Sequence, residues 1–308
     1  MLHRRFLPMV LAVLTAITLA SPAMAGKPTG GTRNIGGGPP DDEPWIPLSA
    51  EEQQGLDLRL AQADAVTVAT KKAMTSLSIE GSFCPTASLV AGMDAVTSTT
   101  CSTPSYTLAT NARRQTKDYY CGPATAQVII NHSRGIYSTN IDGENATTNY
   151  MKQTAIAQRL TWTNPATARV EDTDDIGQTN AYMLANGLNA LAKRPSGFTY
   201  YVVQTGTGSQ WHSKVITETQ QWHMAFGTAI KMTSSSPRLS SWPPLSAGVT
   251  VRHWIPIRGY RGLWDGSYTP RVYYNDSSDQ QGGGTGSYSD PSLTVYNLNA
   301  WHTARLVW

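Results

Sequence analysis

The chain has 308 residues, with 24 Lys+Arg against 21 Asp+Glu and a formal net charge of +3. A balance this even leaves no electrostatic footprint for nucleic acid. After residue 26 no run is apolar enough to span a membrane, so stable membrane insertion is not expected either.

Residues 1–25 read as a secretory signal peptide. Arg4 and Arg5 supply the charged start, residues 6–20 are apolar apart from Pro8, Thr15 and Thr18, and Ala23-Met24-Ala25 places small residues ahead of a cut before Gly26. The apolar run is shorter than the about 20 residues a membrane anchor requires. Arg4-Arg5-Phe6-Leu7 also has the look of a twin-arginine signal at imperfect spacing. The expected location is secreted, extracellular or in the cell envelope. Without Arg4 and Arg5 the 24 basic residues become 22, against 21 acidic ones.

Residues 26–48 form the next segment. From Gly26 to Pro44 it is rich in Gly and Pro with hardly any apolar content, and it reads as a flexible linker. Residues 49–110 open with a capping box, Ser49 and Glu52. Leu56, Leu60 and Ala63 then predict a helix over about 50–74. Residues 75–110 are rich in Ser, Thr and Pro and hold Cys84 and Cys101. Whether 49–110 is a removable pro-segment or a permanent part of the fold stays open.

Residues 111–308 have the texture of one globular domain. Helices are predicted at 123–132, 150–160 and 176–191, and strands at 200–204, 224–232, 249–260 and 271–275. A helix early and strands late predict segregated layers, an α+β fold, not a βαβ alternation. The acidic string at 171–175 lacks the spacing and glycine of a calcium loop and reads as a solvated loop or a helix start. No metal and no cofactor are expected.

Three cysteines in an exported chain leave at least one unpaired unless the chain dimerises through it. Pairing Cys84 with Cys101 closes a short, loop-rich segment and contributes about 3 kcal/mol in the chain-entropy model. Cys121 then remains a free thiol, an oxidation liability outside the cell unless its reactivity is used. Gly122 and Pro123 follow it, and Pro suits a helix's first turn. Cys121 is thus expected at the positive end of a helix dipole, where a thiolate is favoured. The alternative, a small buried hydrophobe at a helix start, uses the same residues.

A nucleophilic thiol needs a base and a group that orients it. Among six histidines, His253 stands in a strand-like run, VRHWIPIRGY, which holds a side chain firmly. His132, His212, His223 and His302 are less well placed. Asn275 and Asp276 end the following strand-like run, and either can accept the Nδ1–H of His253 and fix its tautomer.

Taken together, these segments resemble a known family. Residues 115–130, QTKDYYCGPATAQVII, are similar to the active-site segment of the papain-like cysteine peptidases that remove bacteriocin leaders after a double glycine, and of their secreted, transporter-free relatives. HWIPIRGY resembles that family's histidine strand and VYYND its aspartate strand. The resemblance spans residues 113–278. It implies a papain-like peptidase fold with N-terminal helices packed on an antiparallel sheet. It also implies that Cys121 attacks the carbonyl and His253 acts as base and acid. Asp276 would orient His253, with Asn275 as the alternative. Gln115, six residues before Cys121, would help form the oxyanion hole. The partner it implies is a peptide or protein substrate.

Three departures bear on specificity. The gap from Cys121 to His253 is long, no Pro follows Asp276, and the transporter's ATPase and membrane domains are missing from this sequence. Gly30-Gly31 and Gly36-Gly37-Gly38 are read as linker, not as self-cleavage signals. Two other functions share the same residues: a catalytically silent papain-like binding domain, and a cell-wall amidase or acyl-transfer enzyme. Oligomeric state is not legible.

Overall fold

The computed structural model describes residues 33–79, 103–264, 269–278, 283–300, 302 and 304–308. The signal peptide over 1–25 and the Cys84–Cys101 pairing fall outside the described residues. In chain order the elements are β1 (Arg33–Ile35), α1 (Ala50–Ile79), β2 (Ser105–Thr107), α2 (Cys121–Ser133), α3 (Gln153–Ala157), β3 (Trp162–Thr163), β4 (Val170–Glu171), α4 (Thr173–Ile176) and α5 (Ala181–Leu191). There follow β5 (Val202–Gln204), α6 (Gly208–Ile216), a π-helical turn (Thr217–Gln221), β6 (Phe226–Thr233), β7 (Val249–Arg261), β8 (Arg271–Ser277), β9 (Thr285–Pro291), α7 (Ser292–Ala300) and β10 (Arg305–Val307).

The architecture is α+β. The main sheet runs β5-β10-β6-β7-β8-β9, antiparallel throughout, and β7 also pairs with β1 in parallel and with β2 antiparallel. β3 and β4 make a separate hairpin. β7 is the hub. It is buried along most of its length, which matches its near-continuous apolar run rather than an in–out alternation. α2 packs against β7 and is buried from Cys121 to Asn131. Thr125 Oγ1 donates to the Trp254 carbonyl at 3.0 Å, and Trp254 Nε1 donates to the Thr179 carbonyl at 2.8 Å. Helix and strand are therefore fixed against each other close to where Cys121 and His253 sit. The core behind them is aromatic, with Trp211, Trp254, Trp308 and Tyr274 all buried.

Several sequence expectations change. Residues 33–48 are not a flexible linker. β1 joins the sheet through its backbone, and Glu43 is buried with its carboxylate 2.7 Å from Arg305. Main-chain hydrogen bonds and ion pairs attach the Gly-rich part of the segment, and Ile35, Ile46 and Leu48 pack against the core on either side of it. The capping box at Ser49 and Glu52 forms reciprocally, at 2.8 and 3.2 Å, and α1 runs on to Ile79. The helix expected over 150–160 shrinks to α3, and the one expected over 176–191 begins only at Ala181. α4 ends at Gly177, which takes the left-handed conformation, and Asn180 caps α5. β9 was not predicted from TGSYSDP; pairing with β8 makes it a strand.

Candidate active site: a buried cysteine, histidine and aspartate

Cys121 is the first residue of α2 and is a free thiol, fully buried. No side chain caps this helix. Its first N–H groups have no intrahelical partner and lie at the positive end of the dipole, on the same turn as the sulfur.

His253 comes from β7 and Asp276 from β8. His253 Nε2 donates to Asp276 Oδ1 at 2.9 Å, with both side chains buried. The expectation that the carboxylate would take Nδ1–H is corrected here: it takes Nε2–H, which turns Nδ1 toward the remaining partner. Nδ1 is buried and has no hydrogen bond of full geometry. Cys121 is, after Asp276, among the groups that raise the pKa of this ring. An unmade hydrogen bond at this nitrogen is usual for a catalytic pair with no substrate bound.

Burial alone would lower the His253 pKa. The charge and hydrogen bond of Asp276, joined by Cys121, outweigh it and raise the imidazole to about 10. Asp276 shows the mirror effect. Burial pushes its carboxyl up, but His253 and the hydrogen bonds from Ser241 and Ser278 hold it below its ordinary value. Asp276 Oδ2 accepts from Ser241 Oγ at 2.6 Å and Trp242 Nε1 at 3.0 Å, and Oδ1 accepts from the Ser278 N–H at 3.1 Å. The Trp242 ring stands edge-on to His253 at 5.7 Å. A carboxylate so fully bonded, behind an indole, is a fixed anion that keeps the imidazole cationic.

Asn275 is excluded from the orienting position. Its Oδ1 accepts from Thr110 Oγ1 at 2.6 Å and its Nδ2 donates to Ser287 Oγ at 2.8 Å, on the face of β8 opposite Asp276. His212 is likewise elsewhere, bonded to the Gly262 carbonyl and Ser292, with burial lowering its pKa to about 4. His223 pairs with Tyr106, and His132 lies between two backbone carbonyls.

Gln115 is fully buried. Its backbone N–H donates to the Ser277 carbonyl at 3.0 Å, tying the approach to Cys121 to the end of β8. Its side-chain Nε2 donates to the carbonyls of Lys117 at 3.0 Å and Asp118 at 3.2 Å. The amide shapes the loop that leads into α2, and both of its N–H groups are engaged there. The acidic string is a helix start. Asp172 caps α4, and Asp174 accepts from Lys117, Tyr119 and Tyr120, so it braces the same loop. Among the described residues no group of His, Cys, Asp and Glu has the makings of a metal site.

No protein-family model and no curated protein matches this chain.

Sequence reasoning missed Ser241 and Trp242. They lie in a Ser- and Pro-rich turn whose only signal was a Trp where a turn gives it nothing to pack on. It missed Thr179 as well, whose carbonyl and N–H both bond near the site.

Proposed function

We propose that this chain is an exported cysteine peptidase with a papain-like arrangement, cleaving peptide bonds. The observation that carries the reading is the convergence of three separate elements on one buried pair, an imidazole held cationic by a fixed carboxylate beside an otherwise unpaired thiol. In the proposed reaction Cys121 Sγ, a thiolate whose proton His253 carries on Nδ1, attacks the carbonyl carbon. The Cys121 backbone N–H, at the open start of α2, stabilises the oxyanion, a contribution of about 3 kcal/mol per donor. The C–N bond breaks as His253 passes its Nδ1 proton to the leaving amine. Water then attacks the thioester carbon, His253 takes up its proton at Nδ1, and the C–S bond breaks to release the acid and restore the thiolate–imidazolium pair. Gln115 joins as a second donor if substrate oxygen replaces the longer of its two bonds, the one to Asp118.

A silent binding domain is favoured by one observation, the complete burial of Cys121 and His253. Hydrolysis of fluorescein-labelled casein by purified protein separates the two. The peptidase reading expects turnover that Cys121→Ala and His253→Ala each abolish in folded protein. Turnover unchanged in Cys121→Ala, or none in any sample whose Cys121 is open to alkylation, overturns it.

A further inference from the structure

A nucleophile with no exposed surface raises the question of what covers it. β6 pairs one edge of β7 from Thr250 to Ile257, so β1 and β8 must share the other edge. β1 holds Val249–Val251 of that edge, and the β8 pairing resumes only at Ile257. His253 lies in the gap between them. The chain leaving β1 runs through this gap. The Gly38 N–H donates to the Arg252 carbonyl at 3.2 Å, and the Gly37 carbonyl accepts from the Thr179 N–H at 2.7 Å.

The fit is close on both walls. A Cβ on Gly37 would stand 1.8 Å from the Tyr119 carbonyl oxygen, two residues before Cys121. A Cβ on Gly38 would stand 2.6 Å from the His253 backbone nitrogen. The segment is therefore wedged between the loop that delivers the thiol and the strand that delivers the imidazole. Beyond it, Asp41 anchors the segment with an ion pair to Arg252, one to Lys231 at 3.0 Å and a contact to His302 at 3.2 Å. Arg252 is the neighbour of His253, so the anchor is fixed to the site it closes.

We propose that residues 33–43 are an internal occupant of the substrate groove, a strap whose main-chain bonds to Arg252 and Thr179 are those an incoming extended peptide takes over. The inference rests on the peptidase reading for the identity of the groove. The strap keeps Cys121 from reagents and substrates until it is displaced, and Asp41 sets how readily that happens.

The test is alkylation of Cys121 by iodoacetamide in the full chain, located by peptide mapping, with casein hydrolysis measured on the same samples. Gly37→Val forces the strap off the Tyr119 carbonyl, and Asp41→Ala removes its anchor. The wild type is expected to alkylate slowly. Each variant should react about tenfold faster or more, the change that about 1.4 kcal/mol makes in an opening equilibrium. A synthetic peptide of residues 33–43 in excess should slow the variants again. Where Gly37→Val loses its circular dichroism, Asp41→Ala carries the test, because that carboxylate is partly exposed. Equal alkylation in wild type and variants, or acceleration that the peptide does not reverse, overturns the strap. Faster alkylation without hydrolysis in any sample supports the strap and overturns the peptidase. Hydrolysis at one common rate with equal alkylation does the reverse.

Discussion

At the scale of single residues, two opposed influences meet on His253. Burial disfavours its cation, and Asp276 favours it and wins, so the imidazolium persists to about pH 10. The sign follows. The folded-state pKa lies above the ordinary 6.5, so the group's stabilising contribution is full below 6.5 and is lost as pH rises through about 10. Activity that needs the acid form should fall along the same alkaline limb. Asp276→Asn keeps the shape and removes the charge, leaving burial opposed by Cys121 but no longer by the carboxylate. The alkaline limb of kcat/KM should then fall by about 1–3 pH units. A pH–rate profile on folded Asp276→Asn checks this, and an unmoved limb would mean that Asp276 is only a structural acceptor. The sequence could not choose between Asn275 and Asp276, because adjacent strand residues differ only in the face they take. That choice depends on which face of β8 meets Thr110 and which meets His253, which no local pattern encodes. The histidine itself was legible, since β7 is the one apolar run carrying both His and strand composition.

At the scale of elements, α2 was readable because Cys-Gly-Pro is a chemically specific way to begin a helix. What lay hidden was the use of Gly122. A Cβ there would lie 2.2 Å from Thr179 Oγ1 and 2.3 Å from its Cβ, so the first turn of α2 sits directly on the Thr179 segment. Gly122→Ala must push that turn away. Overpacking of this kind costs about 1–3 kcal/mol, and here it also moves Sγ relative to the imidazole. Casein turnover should fall in protein that still folds, with a lowered Tm, while the circular dichroism of the helices is kept. A normal Tm with normal turnover would show that the turn has slack. β1 and β9 were illegible for a different reason. Their strand state is imposed by pairing with β7 and β8; β1 is only three residues, Arg33–Ile35, after a Gly-rich stretch, and the Gly, Ser and Asp of β9 argue for a turn.

For the molecule as a whole, the open question from the sequence was whether residues 49–110 belong to the fold or merely precede it. α1 answers for its own part. Arg59 is buried, with its guanidinium 2.6 Å from Glu218 Oε2 in the π-helical turn and stacked over Phe198 at 4.4 Å and Trp308 at 4.3 Å. The apolar stripe of Leu56 and Ala63 was visible in the sequence. The charge between them was not, because a buried Arg is legible only when its carboxylate, 159 residues away, is known. Burial raises the Glu218 carboxyl to about 7 even though Arg59 pulls it down. Its folded pKa therefore exceeds the ordinary 4.5, so its contribution is full below 4.5 and is lost as pH rises through about 7. Arg59→Ala removes the cation and leaves burial unopposed, so Glu218 should hold its proton to still higher pH. At pH 5 the carboxyl is protonated with or without Arg59, and the variant loses mainly hydrogen bonds and ring packing, about 1–3 kcal/mol. Above pH 7 the wild type keeps a paired carboxylate, and the variant must hold a proton against the solvent or bury a lone charge. The loss should then grow by up to about 1.4 kcal/mol per pH unit toward the 3–5 kcal/mol typical of a broken buried pair. Thermal unfolding of both proteins between pH 5 and 8 measures this. A Tm gap that widens with pH supports α1 as a permanent wall of the fold. A gap that is small and constant would place Arg59 outside the cooperative core and return α1 to the role of a detachable segment.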